Sequence, residues 1–199
     1  MGARGRGLPV KLLGALLTGG ASHRMGRPKG LLPGPDGVPL ALRAVRVFHT
    51  IGMPCMLVGN REIYGALGVE VIDDTRPGEG PLAGLEAALV EAARRGAEGV
   101  LLVACDMPFF TAELLERLAR TPAAAAVAPW REGRHEPLFA RYRGDVLAEV
   151  QARLDRGERG MQPLLRSVGA APLALEAGEE ALLADWDTPE DAGFRLDYP

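Results

Sequence analysis

The apolar positions of this chain fall in short blocks whose period changes from one block to the next. Leu12 to Leu17 is a run with no polar residue, the pattern of a strand buried on both faces. It empties into a stretch holding Gly19, Gly20 and Gly26 together with the cations Arg24, Arg27 and Lys29. Residues 39–51 switch to helical spacing: Leu40, Ala44, Val47, Phe48 and Ile51 share one face, and Arg43, Arg46 and His49 point away from it. Pro39 suits the first turn of that helix. An apolar strand follows at 54–58, a short helix at 62–67, and a third strand at 69–72 that ends in Asp73-Asp74. A polar Pro/Gly loop, 75–80, leads into a helix over 81–95 with Leu82, Leu85, Leu89 and Ala92 on its inner face. Gly99–Ala104 is the most hydrophobic strand and runs out at Cys105-Asp106, and Thr111 caps a helix over Ala112–Arg120.

Strand and helix thus alternate, with crossovers long enough for parallel pairing. The pattern predicts a single-domain, three-layer α/β fold of Rossmann-like type, a mostly parallel central sheet with helices on both faces. In such sheets ligands bind beyond the carboxyl ends of the strands. Gly19, Asp74 and Asp106 each follow a strand end, so they are expected on one rim. The second half is less regular. Residues 123–129 and 137–142 read as strands joined by a polar turn at 130–136, a hairpin. Helices are expected at 145–154 and 161–168, a strand at 172–175, and a last short helix at 188–193 with Pro189 at its first position. No internal repeat or linker divides the chain. Residues 11–199 read as one domain behind a short disordered tail, 1–10.

Composition narrows the function classes. The chain has 199 residues, 47% of them hydrophobic and 25% charged, which is enough apolar chain for a sizeable core. A net charge of −3 argues against nucleic acid as a partner. Two cysteines, Cys55 and Cys105, are too few for a disulfide framework and fit a reducing cytoplasm. Arg4 and Arg6 ahead of an apolar run imitate a signal peptide, but Lys11 cuts the run short and the run is used as the first strand. No segment is long enough to span a bilayer.

The stretch after the first strand is built to receive an anion. Glycines let backbone N–H groups approach a phosphate closely. Arg supplies a planar fork and Lys a compact charge. Of 23 Lys plus Arg only Lys11 and Lys29 are Lys, so a Lys in this loop stands out. The spacing is neither G-x-x-x-x-G-K-[ST] nor G-x-G-x-x-G, which removes a Walker A loop and a nicotinamide dehydrogenase from the candidates. The three histidines lack ligand spacing for zinc. No Ser/His/Asp or Cys/His arrangement stands out, so covalent catalysis is not indicated.

Read as a motif, L-T-G-G-A-S-H-R-M-G-R-P-K-G-L-L (17–32) resembles the signature of the nucleotidyltransferases, roughly L-A-G-G-x-S-x-R-M-G-x-x-K-x-L. Within that superfamily it is most similar to the molybdenum cofactor guanylyltransferases, the MobA family. Gly80-Pro81-Leu82-Ala83-Gly84, Cys105-Asp106-Met107-Pro108 and Asp187-Thr188-Pro189-Glu190 match in the same order, so the resemblance spans residues 13–191. It implies transfer of GMP from GTP to Mo-molybdopterin with release of pyrophosphate. It further implies Mg2+ as cofactor, a cytoplasmic enzyme, and contact with molybdopterin-handling proteins and molybdoenzymes, without nucleic acid or membrane.

The same resemblance assigns Leu17, Thr18, Gly19 and Asp74 to the nucleotide, and Gly20, Pro81 and Gly84 lie in its nucleotide-binding motifs. Lys29 and Arg24 are expected on the triphosphate, where charge moves onto the leaving pyrophosphate. Asp106, at a strand end facing the loop, is placed to hold Mg2+, and the resemblance implies the same role. The alternative for Asp106 is a cap for the Pro108 turn. Asp74 would accept from ribose hydroxyls or guanine N–H groups, or serve as a turn residue. Asp187 stands where the family commonly has Asn; it completes the metal site, meets the second substrate, or caps a helix. His135, beside Arg134, reaches the pterin substrate or simply decorates a hairpin. A family Asn aligns near Val58, and Val cannot replace its hydrogen bond, although Asn60 is two residues away. Rival readings are a cytidylyltransferase on the same cofactor, a sugar-phosphate nucleotidyltransferase, and a non-catalytic cofactor carrier. Cytidylyl members tend to have Ala-Ala-Gly where this chain has Leu-Thr-Gly-Gly, which favours guanine. All of this requires Lys29 and Asp106 to open onto one surface.

Overall fold

Every residue of β1 (Leu12–Leu17) is buried, because the strand has neighbours on both edges and helices on both faces. The computed structural model describes residues 11–18, 28–122 and 124–186. After β1 come a 3-10 turn (Lys29–Leu31), α1 (Leu40–Thr50), β2 (Cys55–Val58), α2 (Arg61–Tyr64), β3 (Val71–Ile72), α3 (Pro81–Arg94), β4 (Gly99–Ala104) and α4 (Ala112–Arg120). The remainder is β5 (Ala126–Arg131), β6 (Arg134–His135), β7 (Phe139–Arg143), α5 (Leu147–Asp155), α6 (Met161–Ser167), β8 (Ala171–Leu173) and a 3-10 turn (Glu179–Leu183).

The strands order as β3-β2-β1-β4-β7-β5-β6, with β8 on β5. β3, β2, β1 and β4 are mutually parallel. Their carboxyl ends therefore lie along one edge, and the chain reverses its direction of winding between β1 and β4. This is the switch point where open α/β sheets bind ligands. Alternate residues of β1 enter different cores. Leu13, Ala15 and Leu17 pack with α3, α5 and α6; Leu12 and Leu16 pack with α1, α4 and Tyr64. The expected three-layer α/β architecture is what the structure has. Among the described residues no helix is long and apolar enough to cross a membrane.

Three expectations are corrected. The buried stripe of α1 is Leu40, Ala41, Ala44, Val45 and Phe48, so Ala41 and Val45 join the expected face, while Val47 and Ile51 pack half-buried at its edge. Arg43 does not simply face solvent, because its Nε donates to Pro108 O at 2.8 Å. The expected hairpin strands do pair, but β7 lies between β4 and β5 and is antiparallel to both, and a two-residue β6 continues from the turn. Insertion there lets Phe139 and Tyr142, both fully buried, fill the two cores beside β4. The tail 1–10 and the helix 188–193 lie outside the described residues.

Close approach of β4 and β7 sets one residue type. A Cβ on Gly99 would sit 2.3 Å from the Tyr142 carbonyl oxygen and 3.0 Å from Arg143 Cα, both backbone. Backbone in a paired sheet cannot step aside, so Gly99→Ala is expected to destabilise the protein by roughly 3 kcal/mol. Urea unfolding of the variant checks this; an unchanged midpoint would mean the two strands separate more easily than their pairing implies.

Candidate active site

A cleft of about 880 Å3 opens beyond the ends of β1, β2 and β3. Leu17 and Val58 form its floor, Gly59 to Glu62 one wall, and Asp73, Asp74, Pro77 and Gly78 the other, with Gly80, Pro81 and Gly84 at the start of α3. Four residues assigned to the nucleotide from sequence, Leu17, Asp74, Pro81 and Gly84, thus line one space. Gly84 has a packing reason as well: a Cβ there would meet Leu17 Cδ2 at 2.7 Å. Asp74 accepts from the Arg76 N–H at 2.9 Å. Burial raises its carboxyl above the usual aspartate range; the Arg76 N–H works against that, and Glu86 and Glu79 add to it.

Thr18 closes the floor rather than facing outward. Its N–H and its hydroxyl both donate to Val58 O at 3.0 Å, and its carbonyl accepts from the Tyr64 hydroxyl at 3.1 Å. Tyr64 also packs under Gly30, where a Cβ would lie 2.9 Å from its ring. One tyrosine therefore braces Thr18 and Gly30, the residues on either side of the glycine-rich stretch. Burial pushes its hydroxyl up to about 12, which keeps it a donor.

Lys29 and Asp106 meet at the switch point. Lys29 Nζ donates to Asp106 Oδ2 at 2.9 Å, with the two side chains 19% and 22% exposed. Neither side chain lines the cleft; the pair is linked to it through the backbone, where Cys105 N–H donates to the carbonyl of Leu17, a floor residue, at 3.0 Å. Arg43 steadies the loop after Asp106 through Pro108, and Trp186 N–H donates to Asp106 O at 2.8 Å. Cys105 is no rival nucleophile, since burial pushes its thiol up to about 12. Among the described residues no cluster of three metal-ligating side chains occurs. Asp106 could nevertheless hold a divalent cation of the kind that binds through one or two carboxylates plus phosphate and water oxygens. In the structure its partner is the Lys29 ammonium.

His135 stands apart from both groups. It lies on β6, stacked edge-on against Trp130 at 4.8 Å between ring centroids, and its Nδ1 is 3.4 Å from Ala128 O. Since β5 runs parallel to β4, the β5–β6 turn projects beyond the same edge of the sheet. Next to His135, Glu136 and Arg131 approach to 3.4 Å, and burial raises the Glu136 carboxyl while Arg131 opposes the rise. Gly19, Gly20, Arg24 and Asp187 lie outside the described residues. Sequence reasoning missed Gly59, Arg61, Glu62, Asp73, Pro77 and Gly78 as cleft residues. The signal that finds Gly59 to Glu62 is the strand-end rule taken after β2, as it is after β1, β3 and β4.

A nucleotide-sized cleft beside a cation–carboxylate pair, at the switch point of an open parallel sheet, defines a nucleotide-handling α/β domain. The chain belongs to the MobA-like NTP transferase domain family, whose model matches residues 14–173, and is accordingly a nucleotidyltransferase. A probable molybdenum cofactor guanylyltransferase of Opitutus terrae is 39% identical over 188 residues, 90% of this chain and 92% of that protein. The crystal structure of molybdopterin-guanine dinucleotide biosynthesis protein A from Archaeoglobus fulgidus superposes with a TM-score of 0.77 at 23% identity, over 94% of this chain and 97% of that one. Rv0371c from Mycobacterium tuberculosis, solved in complex with manganese, gives a TM-score of 0.68 at 24% identity over 95% and 99% of the two chains.

Proposed function

We propose that this protein is a molybdenum cofactor guanylyltransferase, transferring GMP from GTP to Mo-molybdopterin and releasing pyrophosphate. The observation that carries the reading is the 2.9 Å contact of Lys29 with Asp106, beside a cleft lined by Leu17, Asp74, Pro81 and Gly84. The cleft takes the nucleoside, with Asp74 accepting from it. Gly19, Gly20 and Thr18 border the phosphates, and Lys29 and Arg24 bind the triphosphate. A terminal phosphate oxygen of the acceptor attacks the α-phosphorus; a P–O bond forms there as the bond to the bridging oxygen of pyrophosphate breaks. The attacking oxygen is already anionic, so no side chain has to remove a proton from it. Lys29 offsets the charge that grows on the leaving group. Asp106 would hold Mg2+, with Asp187 as second ligand or as a contact to the acceptor; when bound, the ion supplies further positive charge at the phosphates. His135 reaches toward the pterin. The enzyme works in the cytoplasm as one domain over 11–199, behind the 1–10 tail, receiving its substrate from molybdopterin-handling proteins and passing product to molybdoenzymes.

The decisive experiment measures pyrophosphate release with Mo-molybdopterin and each of GTP, CTP, UTP and ATP. GTP is expected to be preferred at least about a hundredfold, well within what a site that hydrogen-bonds its substrate reaches against an analogue lacking the matching groups. Preference for CTP would make this the sister cytidylyltransferase. Tight binding of cofactor without pyrophosphate release would make it a carrier.

A further inference from the structure

Helix α3 keeps a carboxylate on its buried side. Glu86 is 4% exposed, in the stretch from Leu82 to Leu89 where its neighbours are apolar or small. A charge is retained in such a place only with partners. Its partners all come from the loop 73–80, which forms a wall of the cleft. Glu86 Oε2 accepts from Thr75 Oγ1 at 3.1 Å and from Arg76 Nε at 3.0 Å, and Oε1 accepts from Arg76 Nη2 at 3.3 Å. Arg76 Nη2 also reaches Asp155 Oδ1 on α5 at 2.8 Å. The backbone N–H of Arg76 in turn donates to Asp74 Oδ1 at 2.9 Å. Asp74 is thus tied through one residue to a carboxylate in the core.

We infer that Glu86 is a positioning residue for the nucleoside: by gripping Thr75 and Arg76 it presets the loop wall and the direction of the Asp74 carboxylate before ligand arrives. This rests on the cleft being the nucleotide site. The other ties meet the loop at its ends or on its outer side, Arg61 N–H to Asp73 Oδ1 at 3.2 Å, Arg159 Nη2 to Glu79 Oε1 at 3.0 Å and Arg76 to Asp155, whereas Glu86 takes Thr75 and Arg76 together, next to Asp74. Gly78 and Gly80 both have positive φ, and its internal backbone bond is Glu79 N–H to Arg76 O at 3.1 Å. Without Glu86 the cost of ordering the wall falls on the binding step. That cost is borne by the nucleoside half of the ligand. The phosphate half meets Lys29 and Asp106, which the loop does not hold.

The test is calorimetric titration of Glu86→Gln with GMP and, separately, with pyrophosphate, both with Mg2+ present. The amide keeps the volume and loses the charge that grips the guanidinium. GMP affinity is expected to fall about tenfold while pyrophosphate affinity stays within about twofold. Equal weakening of both ligands, or of neither, overturns the proposal, because a general loss of structure would not distinguish the two halves. Thr75→Val, which removes one bond and leaves the ion pair, is expected to weaken GMP about threefold with pyrophosphate again unchanged. It decides the matter should Glu86→Gln fail to fold. Wild-type protein that binds neither ligand would instead sink the nucleotidyl-transfer reading, and this proposal with it.

Discussion

Asp106→Ala is expected to lose transfer of GMP almost completely, with turnover down at least about a thousandfold, while the protein stays folded. The side chain sits at the rim of the sheet, 22% exposed, and its loss opens no cavity in either core. The loop keeps its other anchors, since the bonds to Trp186 N–H and Arg43 Nε use backbone oxygens of Asp106 and Pro108. The melting temperature should therefore move only by about what an ordinary surface substitution gives. Activity should collapse because an alanine offers no hard oxygen to a divalent cation. Asp106→Asn separates charge from shape: it preserves one oxygen at the same place but no negative charge, and it should be nearly as inactive. Pyrophosphate release measured across a Mg2+ series checks both variants. Turnover near the wild-type level in Asp106→Ala would reject the metal role and leave the carboxylate as a clasp for Lys29.

Lys29→Ala is expected to hurt both binding and chemistry. The ammonium is a compact charge held 2.9 Å from Asp106, after the strand next to β1, whose last residue lies in the cleft floor. An interaction with the ground-state triphosphate raises KM for GTP when it is lost. One that strengthens as charge moves onto pyrophosphate also lowers kcat. Removing a single preorganised charge of this kind costs roughly a hundredfold in kcat. Lys29→Arg is not expected to restore it, because a broad planar fork cannot take the place of a compact charge held against Asp106. Steady-state kinetics in GTP check the split. A kcat and KM both within about twofold of wild type would show that Lys29 only braces the Asp106 loop.

The parallel half of the sheet was legible because its signals are local. An unbroken apolar run such as Leu12–Leu17 or Gly99–Ala104 is buried on both faces in any α/β sheet, and the loops after such runs collect at one edge. The pairing of Lys29 with Asp106 follows from that rule, although the two are 77 residues apart. Less was legible where position depends on a partner far along the chain. Nothing in residues 137–142 says that their strand will slot between β4 and β5. Arg43 looked like an outward residue by helical periodicity, yet it reaches Pro108 across the gap between α1 and the end of β4. Glu86 breaks the apolar pattern of α3 without revealing why, because its reason is a bond to a loop that sequence spacing cannot orient.

The sequence by itself determined the alternation of strands and helices, the glycine-rich cationic stretch after the first strand, and the carboxylates at strand ends, because each depends on neighbours within a few residues. Only the tertiary structure decided that Asn60, Arg61 and Glu62 share a cleft with Asp74, that Thr18 turns its hydroxyl to Val58, and that a core carboxylate steers the cleft wall through Arg76. Those facts depend on which groups are brought within 3 Å of each other once two cores have closed around one sheet, and the energy of such contacts is set by burial and direction, which no local pattern records.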